Sequence, residues 1–557
     1  MKPTNSTTLV ELCLSASAAY KEHTAFAMIS EGEIVSSISY EQMGKRSRQI
    51  GLLLTQLGIQ KGDRVLLFSD NCPEWPLSYF GISFAGAVSV PLLTGFSAEQ
   101  TKNIAVHAGI NAICMNRAMT EKIEQVLAVP EFSKKPIIFI DTMKETAESN
   151  IEVTVSIGGN EQKMMLPKVS ETTSSGESTE NLQNDPNALA TIIYTSGTQG
   201  NSKGVMLSSK NILSSAFSSL SFVTLTPEDR LLSVLPLAHS YECNLGLLAP
   251  VFSGASITYL DKPPSPSVML PALKLIQPTA MLAVPLLIEK IYNNGIAPKL
   301  KVNALYKFPL TRPLAIRVAG KKLHATMGGK LRFFAVGGAP LAPEVEEFLY
   351  KAKFPYTIGY GLTEAAPLVS GNRPFEIKPN IGGRAVGNVT MRIAECDIPT
   401  APGIGEIQVY GPNVMLGYYK EPEKTAETIT SDGWLRTGDL GWIGKNGRVH
   451  IRGRLKALIL GPSGENIYPE EIEGLLGSST LVEDVLVFLS AKGELVALIR
   501  LSEAAKAVTG AIEHALEDLR SWVNNKLAVF SHLNRIEIRY EPFEKTPTMK
   551  IKRYLYV

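Results

Sequence analysis

The chain has 557 residues, of which 45% are hydrophobic and 19% charged. That length predicts three to four domains, or one large domain elaborated by subdomains, at about 150 residues each. So high an apolar content excludes disorder of the whole chain. With 55 Lys plus Arg against 53 Asp plus Glu, the formal charge of +2 lacks the basic excess of a nucleic-acid-coating protein.

Taken in chain order, residues 1–20 carry one early Lys and an apolar stretch broken by Glu11, and are read as the first helix, not a signal peptide. An amphipathic helix is expected over 43–57, followed by a strand at Val65–Phe68, a helix, and a second strand at Ala87–Val90. Helix and short apolar strand alternate through most of the chain, which points to α/β layers around buried sheet. Residues 170–187 contain a single aliphatic side chain, Leu182, and are expected to form a surface loop. The most apolar region, Leu231 to Leu260, carries one formal charge, Glu242. Pro236, His239, Pro250 and Gly254 interrupt it, favouring buried strand–turn–helix over a membrane span.

Lys445-Asn446-Gly447 reads as a hairpin turn, beyond which the elements shorten. Strands are expected at Ala457–Leu460, Val485–Leu489 and Val496–Leu501, and helices at Pro469–Leu476 and Ile512–Leu527. The expected architecture is a large multi-layer α/β unit over 1–453 and a small α+β unit over 454–557, joined by a hinge at Arg454–Lys456. The five cysteines (Cys13, Cys72, Cys114, Cys243, Cys396) lie far apart without a CxxC pair, as thiols of a reducing, cytoplasmic compartment do. The seven histidines show no zinc-ligand spacing.

Four segments carry chemistry. A strand at Thr191–Tyr194 runs into Thr195-Ser196-Gly197-Thr198-Gln199-Gly200-Asn201-Ser202-Lys203-Gly204. Hydroxyls, backbone N–H groups and one Lys suit a polyphosphate, although a Gly/Ser-rich hairpin of this composition is equally compatible with a plain turn. It is not a Walker A loop, because Ser202 precedes Lys203 and Gly204 follows it. Second, a strand at Phe333–Val336 ends in Gly337-Gly338-Ala339-Pro340, and Gly359-Tyr360-Gly361-Leu362-Thr363-Glu364 follows. Tyr360 can stack a base, Thr363 can donate to a phosphate oxygen, and Glu364 can hold a hard cation, while packing is the ordinary alternative for each. Third, Thr437-Gly438-Asp439 places a carboxylate after a tight turn, where it can accept both hydroxyls of a ribose. Fourth, Lys545 to Ile551 (KTPTMKI) lies in an acid-free C-terminal stretch that, alone, reads as a solvated basic tail.

In this order the segments resemble the adenylate-forming superfamily of acyl-CoA synthetases, luciferases and peptide-synthetase adenylation domains. The family phosphate loop, YTSGTTGxPKG, is matched except at Gln199 and Ser202; the GYGLTE and TGD boxes match in full. GRxKxxI appears as Gly453 to Ile459, and PKTxxGKI more loosely, with Met549 in place of glycine. The LPLAH run at Leu235–His239 and the segment Leu460–Glu473 are similar to long-chain fatty acyl-CoA synthetases. Amino-acid-activating members place an Asp nearby for the substrate ammonium, and none occurs between Arg230 and Leu260.

The resemblance implies ligation of a medium- to long-chain fatty acid to coenzyme A through an acyl-adenylate, with ATP and magnesium. It assigns ATP or AMP to Thr195, Ser196, Gly197, Thr198, Gln199, Gly200, Lys203, Gly338, Ala339, Tyr360, Gly361, Thr363, Asp439, Arg454 and Lys456. Thr195 and Glu364 are assigned to magnesium, Lys550 and His239 to catalysis, Lys456 to the hinge, and Ser463, Gly464 and Glu465 to coenzyme A. An acyl carrier protein as acceptor, an acyl-AMP ligase, and a non-catalytic acyl-nucleotide-binding protein are the alternatives. Chain length, oligomeric state and peripheral association with the inner face of a membrane are left open by the sequence.

Overall fold

The computed structural model describes residues 5–146, 150–168, 185–195, 202–379, 382–396, 402–460, 466–490, 492–506 and 512–556. Most of the expected 170–187 loop, and the segments 196–201 and 461–465, lie outside the described residues.

Two twisted sheets with predominantly parallel cores carry the larger part of the chain. In one, strands Val88–Pro91, Arg64–Phe68 and Ala112–Met115 run parallel, with Leu189–Thr195 beside Val88–Pro91 and Lys203–Ser208 antiparallel to it. In the other, Tyr356–Ile358, Phe333–Val336, Ala280–Ala283, Arg230–Leu232, Ser256–Leu260 and Thr24–Ser30 are parallel neighbours. Such strands are covered on both faces, and the burial of Val65–Phe68 and Ala112–Met115 follows. A third sheet, antiparallel and built from Tyr360–Gly361 to Arg448–Arg454, adds a face that alternating helix and strand did not predict.

Helix starts are chemically marked. Ser39 with Gln42, Ser97 with Gln100 and Ser208 with Asn211 form capping boxes for helices Tyr40–Gln56, Ala98–Ala108 and Ser209–Ser219. The first of these begins three residues before the expected position because Ser39 supplies the cap. It packs on Glu74–Phe84 through glycine: a Cβ on Gly51 would lie 2.6 Å from Phe84 Cβ.

Beyond Arg454, Ile467, Ile472, Leu476, Val487, Ala497 and Leu516 belong to an apolar cluster drawn entirely from that part of the chain. It packs around strands Val482–Leu489, Leu495–Leu501 and Arg535–Ile538. Two expectations here need correction. Ala457–Leu460 is not a single strand: residues Leu455–Ala457 form one 3₁₀ turn, closed by Leu458 N–H donating to Leu455 O, and only Ile459–Leu460 is extended. The helix from Ile512 stops at Asn524, whose side-chain amide turns to bond both the N–H and the carbonyl of Leu533. No helix among the described residues is long and apolar enough to cross a membrane. None of the five cysteines is in a disulfide, and burial pushes Cys13, Cys114 and Cys243 up to about 12.

The one formal charge of the apolar 231–260 region is buried. Glu242 opens a π-helical turn, Glu242–Leu248, and is 1% exposed. Ser233 donates to its Oε1 (2.5 Å), while Oε2 has no partner. Burial raises its pKa to about 8. Between about pH 4.5 and 8 the folded protein therefore keeps a proton that the unfolded chain has released. The resulting stability, on the order of a few kcal/mol, is present below that window and lost as pH rises through it. Glu242→Gln, neutral at every pH, is expected to show a flatter melting-temperature profile than wild type from pH 6 to 9. Parallel profiles would mean that Glu242 is ionised in the fold.

Candidate active site

A cleft of about 2410 Å³ collects the chemistry-bearing segments, reaching from Thr195 and Lys203 past Tyr360–Glu364 and Asp439 to Arg454, Lys456 and Lys550. Thr195 and Lys203 face each other as the last and first paired residues of antiparallel strands, and both line the cleft. The Lys203 ammonium stands 4.7 Å from the ring centre of Tyr418, whose hydroxyl donates to Glu364 Oε1 (2.9 Å). Burial, and then Glu364, push the Tyr418 phenol up, so it stays a donor. Sequence reasoning missed Tyr418, which lies outside every motif and arrives through strand pairing with Val205.

In the Tyr360–Glu364 segment the backbone closes tightly. A Cβ on Gly361 would meet Pro367 O at 2.0 Å, so only glycine fits. Gly338 and Ala339 form an exposed bend after the strand Phe333–Val336 and line the cleft. Thr363 Oγ1 is 3.2 Å from Ser240 Oγ, joining this segment to the LPLAHS run. That run is also anchored at the back: Asn71 bonds Ser233, Leu235 O and Leu237 N–H, and Tyr241 donates to Ala335 O.

Asp439 is 4% exposed, and both of its oxygens are engaged. Tyr360 donates to Oδ2 (2.6 Å) and Arg454 Nε to Oδ1 (2.9 Å). Each oxygen keeps a second lone pair, so the carboxylate retains one acceptor position per oxygen toward the cleft. Asp439 also sits inside strand Leu435–Ile443, after Gly438 at φ +69°, and not beyond a turn. Burial raises its carboxyl against the pull of Arg454, and burial weakens Arg454 while Asp439 holds its net pKa above the ordinary value. Glu470 Oε2 accepts from Arg454 N–H (3.1 Å). Lys456 is exposed within the 3₁₀ turn at the cleft edge. Ser196, Gly197, Thr198, Gln199 and Gly200, like Ser463, Gly464 and Glu465, lie outside the described residues.

The C-terminal box is not a free tail. Thr546 N–H donates to Lys550 O (2.7 Å), Met549 N–H to Thr546 O (2.8 Å), and Lys545 Nζ to Asp484 (2.6 Å). Pro547 rests against Gly95, across the cleft. Met549, where the family pattern has glycine, sits at φ +63°, a left-handed conformation costing a side chain roughly 1 kcal/mol. Lys550 is exposed to the cleft yet hemmed in by protein; desolvation and then Arg454 lower its pKa. His239 lies on the opposite wall. Burial, with Lys550 as second cause, pushes its imidazole down to about 4. Nδ1 accepts from Tyr241 N–H (3.2 Å), leaving the neutral ring's proton on Nε2.

A mixed α/β fold of this kind, its cleft lined by Lys203, Arg454 and Lys550, is shared with solved adenylate-forming enzymes. The sequence profile of the AMP-binding enzyme family matches residues 15–419, and the chain belongs to that family. It is similar to fatty acyl-CoA synthetase A of Dictyostelium discoideum (28% identity, covering 81% of this chain and 69% of that protein). It is as similar to a 4-coumarate–CoA ligase of Vanilla planifolia (28%, covering 92% and 87%). O-succinylbenzoate coenzyme A synthetase from Bacillus subtilis, solved with ATP and a magnesium ion, shares the fold at TM-score 0.73 and 22% identity, covering 98% of each chain.

His239 gives a direct check on this geometry. Its depressed pKa means that stability declines as pH falls from about 6.5 towards 4, because the unfolded chain takes up the proton first. In ¹³C-histidine spectra, the His239 resonance, assigned by its loss in His239→Gln, is expected to titrate near pH 4. Lys550→Ala should move that midpoint upward; an unchanged midpoint would place the ammonium away from the ring.

Proposed function

We propose that this protein joins a medium- to long-chain fatty acid to coenzyme A, consuming ATP and passing through an acyl-adenylate. The observation carrying the acid class is the apolar part of the cleft lining, Phe222, Val223, Leu231, Leu245, Leu282 and Phe333, which we take as an arm for the acid. None of these six side chains is charged, so an ammonium or second carboxylate beside them would be desolvated without a partner. Glu242 does not line the cleft. Each methylene buried in such an arm contributes about 0.8 kcal/mol.

The electrostatic problem of the first step is that a carboxylate must approach a phosphate. Lys203 and Lys550, on opposite sides of the cleft, supply positive charge to the phosphates and to the carboxylate. The lowered pKa of Lys550 is offset when anions enter beside it. Glu364, on the cleft wall with one oxygen held by Tyr418, suits a hard cation shared with phosphate oxygens, and Thr195 adds a hydroxyl. Bound there, magnesium would neutralise phosphate charge. Neutral His239 borders the place where the arm meets the nucleotide side, offering an Nε2–H donor without adding charge. For the second step, the unit beyond Arg454 turns about Lys456, withdrawing Lys550 and presenting the 463–465 segment to coenzyme A. We accordingly take 1–453 and 454–557 as two domains.

Lys550→Ala is expected to slow acyl-adenylate formation at least about 100-fold, a transition-state loss of roughly 3 kcal/mol, while sparing thioester formation from supplied acyl-adenylate. Equal loss in both half-reactions would remove the assigned role. The acid class is tested by kcat/KM for C2 to C18 alkanoates, benzoate and 4-coumarate at fixed ATP and coenzyme A. Efficiency should climb with alkyl length and then level; a maximum at acetate or an aromatic acid would overturn the class. Leu225 lines both the cleft and an outer pocket of about 380 Å³ beside Phe217 and Phe252. Leu225→Ala should therefore move the optimum to longer chains.

A further inference from the structure

Between Glu289 and Glu344 the sequence holds ten Lys or Arg residues and not one Asp or Glu, in a chain whose net charge is only +2. This stretch forms three helices, Ala297–Val302, Ala304–Lys307 and Arg312–Thr326, on the wall of the second parallel sheet. Its apolar side chains are partly turned outward. Leu310 is 97% exposed, Val302 77% and Phe308 67%. On the longest helix, Ala315, Ile316, Gly320 and Leu323 face inward, with Gly320 so close to Ala352 that a Cβ would lie 2.5 Å away. Leu314, Arg317, Val318, Lys321 and Lys322 are exposed, and their i, i+3, i+4, i+7, i+8 spacing makes one outward stripe mixing apolar and cationic groups.

Of the ten cations, Arg332 is paired with Asp229. Lys301, Lys307, Arg317, Lys321 and Lys322 make no ion pair among the described residues. The surface starts at the cleft: Val284, Leu286 and Lys290, just upstream, are exposed and line its rim.

We propose that residues 299–322 dock the protein on an anionic lipid bilayer, with Phe308 and Leu310 entering the headgroup boundary and the surrounding lysines meeting lipid phosphates. A second copy of this chain is excluded as occupant by charge, since it would oppose one wholly basic face with another. A purely ionic partner leaves Leu310, the most exposed leucine among the described residues, without a role, whereas an interface of apolar boundary and anionic headgroups takes both. Lysine stems lie along the apolar layer while their ammonium groups stay in the headgroups. The surface stands whichever acid is used. Only the corollary that the acid reaches the cleft rim from the bilayer rests on the fatty acid reading.

The test is co-sedimentation of the full chain with phosphatidylcholine vesicles, with and without phosphatidylglycerol. Binding is expected only with the anionic lipid and should fall steeply as salt is raised. The triple variant Lys301→Glu, Lys321→Glu, Lys322→Glu should lower partitioning more than about 100-fold, since each cation near such a surface contributes about fivefold. Phe308→Ser with Leu310→Ser, at unchanged charge, should lower it at least tenfold. Both variants should keep the wild-type melting temperature and activity on a soluble short acid. Failure of wild type to bind anionic vesicles, or wild-type binding by the charge-reversal variant, overturns the proposal. So does polyglutamate binding that the serine variant retains, which would make the partner an acidic protein. Vesicle binding involves no acid substrate, so its failure and failure of the acid class appear in separate assays.

Discussion

The ion pair between buried Asp439 and half-exposed Arg454 is the constraint on which the site depends. Asp439 is held inside a strand, and Arg454 is the final residue of the adjoining strand, directly opposite it in register. The next turn leads into the second apolar core. Fixing this pair thus fixes where the second core leaves the first. It also fixes Tyr360, whose phenol donates to the same carboxylate. Loss of Arg454 would leave the buried Asp439 carboxylate without its cation, a disruption of about 3–5 kcal/mol. Unlike a surface ion pair, this one joins an architectural joint to the floor of the cleft.

The parts of the site that were legible in sequence are those written in consecutive residues. The hairpin arms around Thr195 and Lys203 and the strand Phe333–Val336 need only local pattern, and both are where the sequence put them. The antiparallel sheet was not legible, because its strands are short and pair residues as distant as Gly383 and Val449. Tyr418 and Asn71 were missed for the same reason: each reaches the site through partners far away in the chain. The local conformation at Asp439 was misread: a TGD segment looks like a turn until pairing with Arg448–Arg454 draws it into a strand.

The polar and apolar ends of the cleft impose opposite demands, and burial serves both. The LPLAHS run must be rigid to wall an apolar arm, yet it passes close to the charged end. Its rigidity comes from behind, where Asn71 and Ser233 join the loop after strand Arg64–Phe68 to Glu242. A neutral carboxyl holds that network without a field that would repel a substrate carboxylate. An ionised one would weaken both the fold and the approach of an anion, so one proton serves packing and electrostatics together.

The same low-dielectric setting links ligand charge to the placement of the C-terminal segment. Lys550 is held in the cleft by a short turn containing a left-handed Met549, by the Lys545–Asp484 pair and by Pro547 against Gly95. Arg454 opposes it, and desolvation opposes its charge further. Without an anion between them, these two cations repel, and burial and that repulsion outweigh the attraction of Asp439, Glu470 and Glu364 for Lys550. An anionic ligand converts the repulsion into two attractions, stabilising this arrangement over any in which Lys550 is withdrawn. When the ligand's charge leaves, the balance reverts. A ligand shifts a conformational equilibrium by its differential affinity alone, and here the difference is supplied by whether a second cation is present at the anion.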